Sequence, residues 1–150
     1  MTQKRLRVFL DTSVVIAAVL SPSGGSRKLF RLAEAGALRL VVGPIVLREC
    51  EEVVRSKAPS TAPQLAQLLA NARVETSSAP STRQIKTAKS YVRYSPDAYV
   101  LAESIQAQPD WFFTHDKEHF LKQRGKITLS FEIGTPGDLI QRLKEDFTQL

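Results

Sequence analysis

Four acidic side chains are the residues of this chain whose types and positions could do chemistry. Asp11, Glu49, Asp97 and Asp116 lie near predicted strand ends or helix starts, in a chain with a net charge of +6. Two carboxylates about 4 Å apart repel each other by about 4 kcal/mol at an effective dielectric constant of about 20, so a cluster of them needs a compensating cation. Hard carboxylate oxygens favour Mg²⁺ or Mn²⁺. The four acids therefore predict a divalent metal site.

The length and charge of the chain limit the classes of protein to which it can belong. Its 150 residues, 43% of them hydrophobic, suit a single domain over residues 1–150 that buries about 70% of its unfolded surface. Lys and Arg number 21 against 15 Asp and Glu. This excess favours a polyanionic partner, although solubility alone would also account for it.

The expected compartment is the cytoplasm, without membrane association. Asp11 interrupts the apolar segment that a signal peptide would need, and the longest apolar run, residues 14–20, is far shorter than the ~20 residues of a membrane span. The single cysteine, Cys50, cannot form an internal disulfide, which is typical of a reducing compartment. We expect Cys50 to pack in the core.

Strand and helix patterns alternate along the sequence. Short runs rich in branched and aromatic residues predict strands at 6–10, 38–42, 74–76, 110–114 and 128–133. A turn is predicted at 11–13, and helices are predicted at 14–20, at 26–35, from Pro44 onward, and at 63–72, 83–93, 95–106, 117–123 and 136–147. The alternation predicts a three-layer α/β/α sandwich with a central, mostly parallel sheet.

The predicted elements support the four acids to different degrees. Asp11 and Asp116 directly follow predicted strands, and ligands of open α/β sheets bind at the carboxyl ends of the strands. Asp97 opens a predicted helix, whereas Glu49 lies within one among charged neighbours. Each acid alone has an ordinary structural explanation, such as a turn or a helix start. Only their combination is informative.

Four ordered segments resemble the acidic motifs of the PIN domain. They are residues 8–15 (VFLDTSVV), 45–49 (IVLRE), 97–102 (DAYVLA) and 113–120 (FTHDKEHF), and residues 134–139 (GTPGDL) are similar to the start of the family's last helix. The resemblance spans nearly the whole chain. Within the family, the chain resembles the small, single-domain, VapC-like PIN ribonucleases of toxin–antitoxin systems.

The resemblance implies a metal-dependent endoribonuclease, with a PIN-like fold, that hydrolyses RNA phosphodiester bonds. Asp11, Glu49, Asp97 and Asp116 would be its catalytic and metal-binding acids, holding Mg²⁺ or Mn²⁺. Ser13 and Thr114 would support them. Glu49 rests chiefly on the resemblance, because its spacing alone does not distinguish it from a surface residue.

The resemblance also implies partners: an RNA substrate, a small antitoxin protein and a second copy of the chain in a homodimer. Basic and histidine side chains near the motifs are candidate substrate contacts. They are Arg27, Lys28, Arg31, Lys86, Lys89, Arg93, His115 and Lys117. For the basic residues of segment 83–93, a solvated helix surface is an equally good interpretation.

Several other interpretations stand beside the toxin. A housekeeping PIN-type RNA-processing nuclease would have the same acids, and a PIN protein that only binds nucleic acid would not need them. Ser13 replaces the second aspartate that dehalogenase-like phosphotransferases require, and no glycine-rich turn for a dinucleotide follows the first strand. His115 and His119 suggest zinc only weakly, because the glutamate pattern of metalloproteases is absent.

Overall fold

The fold is built on five parallel strands in a computed structural model that describes residues 5–148. In chain order they are β1 (Leu6–Leu10), β2 (Leu38–Val42), β3 (Glu75–Thr76), β4 (Trp111–Phe113) and β5 (Glu132–Gly134). Their order across the sheet is β3-β2-β1-β4-β5, and every neighbouring pair is parallel. The predicted α/β class with a mostly parallel sheet is confirmed.

Within residues 5–148, seven α-helices connect or follow the strands. They are α1 (Thr12–Leu20), α2 (Gly25–Glu34), α3 (Pro44–Lys57), α4 (Ala62–Asn71), α5 (Thr82–Tyr91), α6 (Ser95–Ala107) and α7 (Pro136–Thr148). A 3₁₀ turn, Pro59–Thr61, precedes α4, and a π-helical turn, Lys117–Leu121, follows β4. Within the described part of the chain, no helix is both long and apolar enough to cross a membrane.

The central strand β1 is buried because the sheet is covered on both faces. Val8, Phe9 and Leu10 are fully inaccessible to solvent, as expected for a parallel strand between two helical layers. The ring of Phe9 stacks on that of Phe112 in β4, with centroids 5.6 Å apart. Phe112 also contacts Phe120 from the π-helical turn, with centroids 4.9 Å apart. The core therefore ties the segment after β4 to the centre of the sheet.

The strand order places a topological switch point between β1 and β4. The chain moves from β1 to β2 and β3 in one direction, then crosses back to β4 on the other side of β1. Because such crossovers are right-handed, this reversal places α5 and α6 on the opposite face from α1 and α2. Ligands of open α/β sheets bind where the order reverses, beyond the carboxyl ends of the strands. A backbone hydrogen bond from Asp11 to Phe113 (3.0 Å) joins the two strand ends there.

The last strand is shorter than its sequence predicts. A strand was expected at 128–133, but β5 covers only Glu132–Gly134. Its partner β4 has three residues, so the ladder has three pairs, and the carbonyl of Thr128 accepts a hydrogen bond from the Tyr91 hydroxyl instead (3.1 Å). The segment predicted as a helix at 117–123 is the π-helical turn.

The helix starts differ by one or two residues from those predicted. Helix α2 begins at Gly25, with Gly24 as its N-cap, so Ser26 lies inside the helix and is buried rather than capping it. Helix α6 includes Ser95, and Tyr94 is its N-cap. Both shifts are within the usual uncertainty of helix boundaries.

A buried glutamate fixes α3 against α6. Glu103 of α6 is fully inaccessible, and its carboxylate accepts backbone hydrogen bonds from Ile45 (2.7 Å) and Val46 (3.4 Å) at the start of α3. Burial raises the pKa of Glu103, and the two backbone bonds oppose the shift. A Cβ atom at the N-cap residue, Gly43, would overlap the Glu103 carboxyl group. Glycine is therefore the residue that lets the carboxylate reach the helix terminus.

The apolar stripe of α3 lies in the core, as its spacing predicts. Val46, Cys50 and Val54 are buried. Burial raises the pKa of the Cys50 thiol to about 12, and the charges of Glu49 and Asp11 add to the effect. Cys50 is thus a neutral packing residue of the helix that carries Glu49.

Replacing Gly43 by alanine tests the contact between α3 and α6. The added methyl group displaces the Glu103 carboxylate, so Gly43→Ala should lower the free energy of unfolding in urea by about 1–3 kcal/mol. Gly125→Ala is the matched control, because a Cβ atom there has no neighbour within 4 Å. Equal stability of the two variants would contradict the proposed role of Gly43.

Candidate metal centre

The four predicted acids come from four different elements at the carboxyl edge of the sheet. Asp11 is the N-cap of α1 directly after β1, and Asp116 is the N-cap of the π-helical turn after β4. Asp97 lies in the first turn of α6, and Glu49 lies in α3. Asp11 is 8% exposed, and the other three are partly buried. The structure gathers the acids around Asp97, since the charges of Asp116, Asp11 and Glu49 all raise the pKa of its carboxyl group.

Asp11 is held by hydrogen bonds from both strand ends. Its Oδ1 accepts a bond from the backbone of Thr12 (2.8 Å). Its Oδ2 accepts bonds from the hydroxyls of Thr114 (2.7 Å) and Ser13 (3.3 Å). Burial raises the pKa of Asp11, and these hydrogen bonds oppose the shift. Both residues expected to support the site therefore contact this carboxylate.

Thr114 also connects Asp11 to the next acid along the sheet. Its Oγ1 donates to Asp11 and accepts a hydrogen bond from the backbone of Asp116 (3.0 Å). The hydroxyl is fully buried, so losing either bond would leave a polar group unpaired. Thr114 thereby fixes the spacing of two acids that follow adjacent strands.

Glu49 joins the cluster through a residue that the sequence interpretation missed. The hydroxyl of Thr12 donates to Glu49 Oε2 (2.6 Å), while the Thr12 backbone binds Asp11. A hydroxyl residue directly after Asp11 was the only signal for this role. The contact orients Glu49 toward Asp11, whereas Glu51 and Glu52 of the same helix are exposed.

Among the residues that the structure describes, the set of potential metal ligands that lie closest together is Asp97, Asp116 and His119. One ligand atom from each lies within 4.8 Å of the other two. His119 Nδ1 is 3.0 Å from Asp116 Oδ2 and 2.6 Å from Asp97 Oδ2. The hydrogen bond to Asp116 raises the pKa of the His119 imidazole. The ring of Tyr94 stacks on that of His119, with centroids 4.9 Å apart and planes 14° apart.

His119 is a second residue that the sequence did not assign to the site. Its spacing of three residues from Asp116 was the available signal, since this spacing places two side chains on one side of a helical turn. His115, which was predicted as a substrate contact, is exposed, and its Nε2 lies 3.2 Å from the Ser26 hydroxyl. The three-residue ligand set contains His119 and not His115.

The donor set fits a divalent cation. Asp97 Oδ2 is buried and makes no hydrogen bond of acceptable geometry within the described residues. His119 Nδ1 carries at most one hydrogen, so it cannot donate to both Asp116 Oδ2 at 3.0 Å and Asp97 Oδ2 at 2.6 Å. A cation bound between these groups would supply the positive partner that the imidazole can give to only one of the two carboxylates. Carboxylates with an imidazole suit Mn²⁺, and the carboxylates alone suit Mg²⁺.

Two of the predicted substrate contacts use their charged groups within the fold. The guanidinium group of Arg27 donates to the carbonyls of Ala18 (2.6 Å) and Val19 (3.3 Å) at the end of α1. Arg31 donates to the carbonyl of Pro22 (3.0 Å). These arginines close the carboxyl end of α1. Lys28, also on α2, is exposed and faces a groove beside α7.

The other predicted contacts lie on exposed surface. Lys86 and Lys89 are exposed on α5, and Lys89 Nζ lies 5.2 Å from the ring centroid of Tyr99. Arg93 is exposed in a cavity that includes His119. Lys117 is exposed next to Asp116. Three of the predicted contacts therefore lie near the acids. His115 and Lys117 are next to Asp116 in the sequence, and Arg93 lines the same cavity as His119.

Asp97 gives the centre a predictable effect on stability. Burial raises its pKa from 3.8 to about 6; His119 opposes the shift, and the other three acids add to it. Between these values the folded state binds a proton that the unfolded state has lost, so the stability of the metal-free protein falls as pH rises through this window. Asp97→Asn should remove this fall and raise the unfolding free energy at about pH 7.5.

Urea unfolding in EDTA at about pH 5 and 7.5 measures this effect. Glu51→Gln, at an exposed position of α3, is the control and should keep the wild-type pH dependence. An unchanged pH dependence in Asp97→Asn would show that folding does not raise the pKa of this carboxyl group.

Comparison with known proteins assigns the fold. The sequence profile described as PIN domain matches residues 7–118. No curated protein matches significantly. Among solved structures, VapBC2 from Rickettsia felis bound to a promoter DNA fragment is similar with a TM-score of 0.62 and 14% identity, covering 85% of this chain and 97% of that one.

Two further structures show the same likeness. DNA-bound VapBC from Salmonella typhimurium has a TM-score of 0.61 and 15% identity, covering 87% of this chain and 98% of that one. Mycobacterium tuberculosis VapC20, a toxin that cleaves the sarcin–ricin loop, has a TM-score of 0.52 and 14% identity, covering 82% and 97%. At these identities the likeness concerns the fold, while the profile match covers well over half of the sequence. The chain belongs to the PIN-domain family.

Proposed function

We propose that this protein is a divalent-metal-dependent endoribonuclease that hydrolyses RNA phosphodiester bonds and acts as the toxin of a toxin–antitoxin pair. The observation that carries the proposal is the convergence of four acids from four elements at the switch point of a PIN domain. Two of these acids lie beside His119, and one has a buried oxygen without a hydrogen bond. Such a centre is suited to a divalent cation rather than to a neutral ligand.

Different side chains would hold the cation and keep its carboxylate ligands in place. Asp97 and Asp116, with His119, would hold Mg²⁺ or Mn²⁺, and Asp11 and Glu49 would complete the centre. The chemistry that a divalent cation supplies here is stabilisation of the charge on the phosphate and a lower pKa for water. Thr114 and Thr12 keep the carboxylates of Asp11 and Glu49 in place through hydrogen bonds of 2.7 and 2.6 Å.

Positive charge around the acids supports a nucleic-acid substrate. The net charge is +6, although the centre itself is acidic. Three basic or histidine side chains near the acids are exposed to solvent. His115 and Lys117 flank Asp116 in the sequence, and Arg93 lines the cavity that includes His119. In this arrangement basic side chains contact phosphates while the acids face the scissile bond. The substrate we assign is RNA, as the family resemblance implies.

The toxin assignment rests on analogy with the structural neighbours. Two of them are VapBC complexes, and the third is a toxin that cleaves an RNA loop. We infer that residues 1–150 form one nuclease domain, that it pairs with a second copy of itself, and that a small antitoxin binds it. A housekeeping nuclease with the same centre would cleave RNA without affecting growth.

Replacing Asp11 by asparagine tests the nuclease. Asn keeps the shape of the buried side chain but removes its charge and one of its two acceptor oxygens, so Mn²⁺-dependent RNA cleavage should fall by about 100-fold or more. Thermal unfolding should show an intact fold. Cleavage of labelled RNA by purified protein, with and without EDTA, is the measurement.

Asp110→Asn is the matched control for this variant. Asp110 precedes β4 at the opposite edge of the sheet, and its Oδ2 accepts a hydrogen bond from the backbone of Arg7 (2.8 Å). This variant should cleave RNA as the wild type does. Wild-type rates for Asp11→Asn, or cleavage that persists in EDTA, would sink the metal-dependent mechanism.

Expression of the chain in bacteria tests the toxin assignment. Induction of the wild type should slow growth, induction of Asp11→Asn should not, and co-expression of a small protein encoded next to this gene should restore growth. Growth curves and co-purification of the two proteins are the measurements. A harmless wild type without a tightly bound partner would favour the housekeeping nuclease.

A further inference from the structure

A cavity of about 400 Å³ opens beside His119. Its walls come from the segment before α6, through Tyr91, Arg93 and Tyr94, and from the segment after Asp116, through His119, Gln123 and Lys126. The volume lies within the range of small-ligand pockets, about 300–1,000 Å³. Of these wall residues, the sequence assigned a functional role only to Arg93.

Tyr94 is the most exposed aromatic side chain near the acids. The side chain is 54% exposed although it is large and apolar. One face of its ring stacks on His119, whose Nδ1 lies 2.6 Å from Asp97. The cavity lies against the same pair of rings. A planar group in the cavity can therefore stack on the ring of Tyr94, which itself stacks on His119 of the candidate metal centre.

Polar groups of the cavity suit a nucleotide. Arg93 and Lys126 are exposed and form no ion pair within residues 5–148. The side-chain amide of Gln123 makes no hydrogen bond to other described residues, so it can pair with the edge of a base. The one acid of the wall, Glu118, is neutralised by Lys122 at 2.7 Å.

We propose that this cavity binds one unpaired nucleotide next to the scissile phosphate, with its base stacked on Tyr94 and its phosphate contacted by Arg93 and Lys126. This inference rests on the proposed ribonuclease function and assigns one nucleotide of its substrate to a defined place in the fold. A base inside a duplex cannot present its face to a side chain, whereas an unpaired base can stack on an aromatic ring. Stacking on Tyr94 therefore requires that the nucleotide in the cavity is unpaired.

RNA binding by a variant that does not cleave RNA tests the subsite. In the Asp11→Asn background, fluorescence anisotropy compares a labelled single-stranded RNA with the same strand in a duplex. Adding Tyr94→Ala should weaken single-strand binding by about tenfold or more and leave duplex binding unchanged, because stacking on one base is lost. Tyr94→Phe should bind as the parent does. Phe147→Ala removes an aromatic side chain that is 76% exposed on α7, and it should have no effect.

A second readout separates stacking from an indirect effect through His119. With 2-aminopurine placed at successive positions of the RNA, fluorescence should be quenched at one position, and Tyr94→Ala alone should abolish the quenching. Mn²⁺ affinity should be the same in Tyr94→Ala and in its parent. Equal single-strand binding by Tyr94→Ala and Phe147→Ala, or a loss explained by weaker Mn²⁺ binding, would overturn the subsite even if the wild type cleaves RNA. If the parent binds neither RNA, both proposals fail.

Discussion

The junction between the ends of β1 and β4 is the constraint on which the rest of the centre depends. Strands far apart in the sequence meet there through the backbone bond from Asp11 to Phe113, and the Thr114 hydroxyl repeats the connection through side chains. The switch in strand order leaves this edge free of a crossing helix. The remaining acids approach from helices whose starts lie at the same edge. The gathering of the four acids at this place is therefore a product of topology, with the local sequence supplying only the carboxylate groups.

The gathered carboxylates oppose folding as well as enabling chemistry. Burial and mutual repulsion disfavour the charged forms of Asp11 and Asp97. The buried hydrogen bonds of Thr114 and the aromatic contacts of Phe112 hold the edge together against that repulsion. A bound cation relieves the same repulsion, because it binds the folded state and not the unfolded one. In the proposed centre, stability and metal binding would therefore be coupled through the same few side chains.

The sequence predicted the fold class and most strand positions because strand periodicity is a local pattern, and it predicted strand-end acids for the same reason. The PIN family was predicted from the resemblance of four ordered acidic segments. Asp11 and Asp116 could be placed from these patterns. Glu49 could not, since the face of α3 that meets the sheet edge depends on how that helix packs against the rest of the fold. Thr12, His119 and Glu103 gain their roles from contacts between distant elements. The length of β5 likewise depends on its three-residue partner. Whether the assigned residues act as proposed stays a prediction.

The buried cysteine of α3 has a practical consequence. A thiol reacts as its thiolate, and the thiol of Cys50 is both inaccessible and held neutral by a pKa of about 12. Alkylating reagents can reach it only in molecules in which α3 has moved away from the sheet. Since the chain has no other cysteine, the rate of its modification reports the local opening of one helix. The native protein thus has a built-in chemical probe for the motion of the element that carries Glu49.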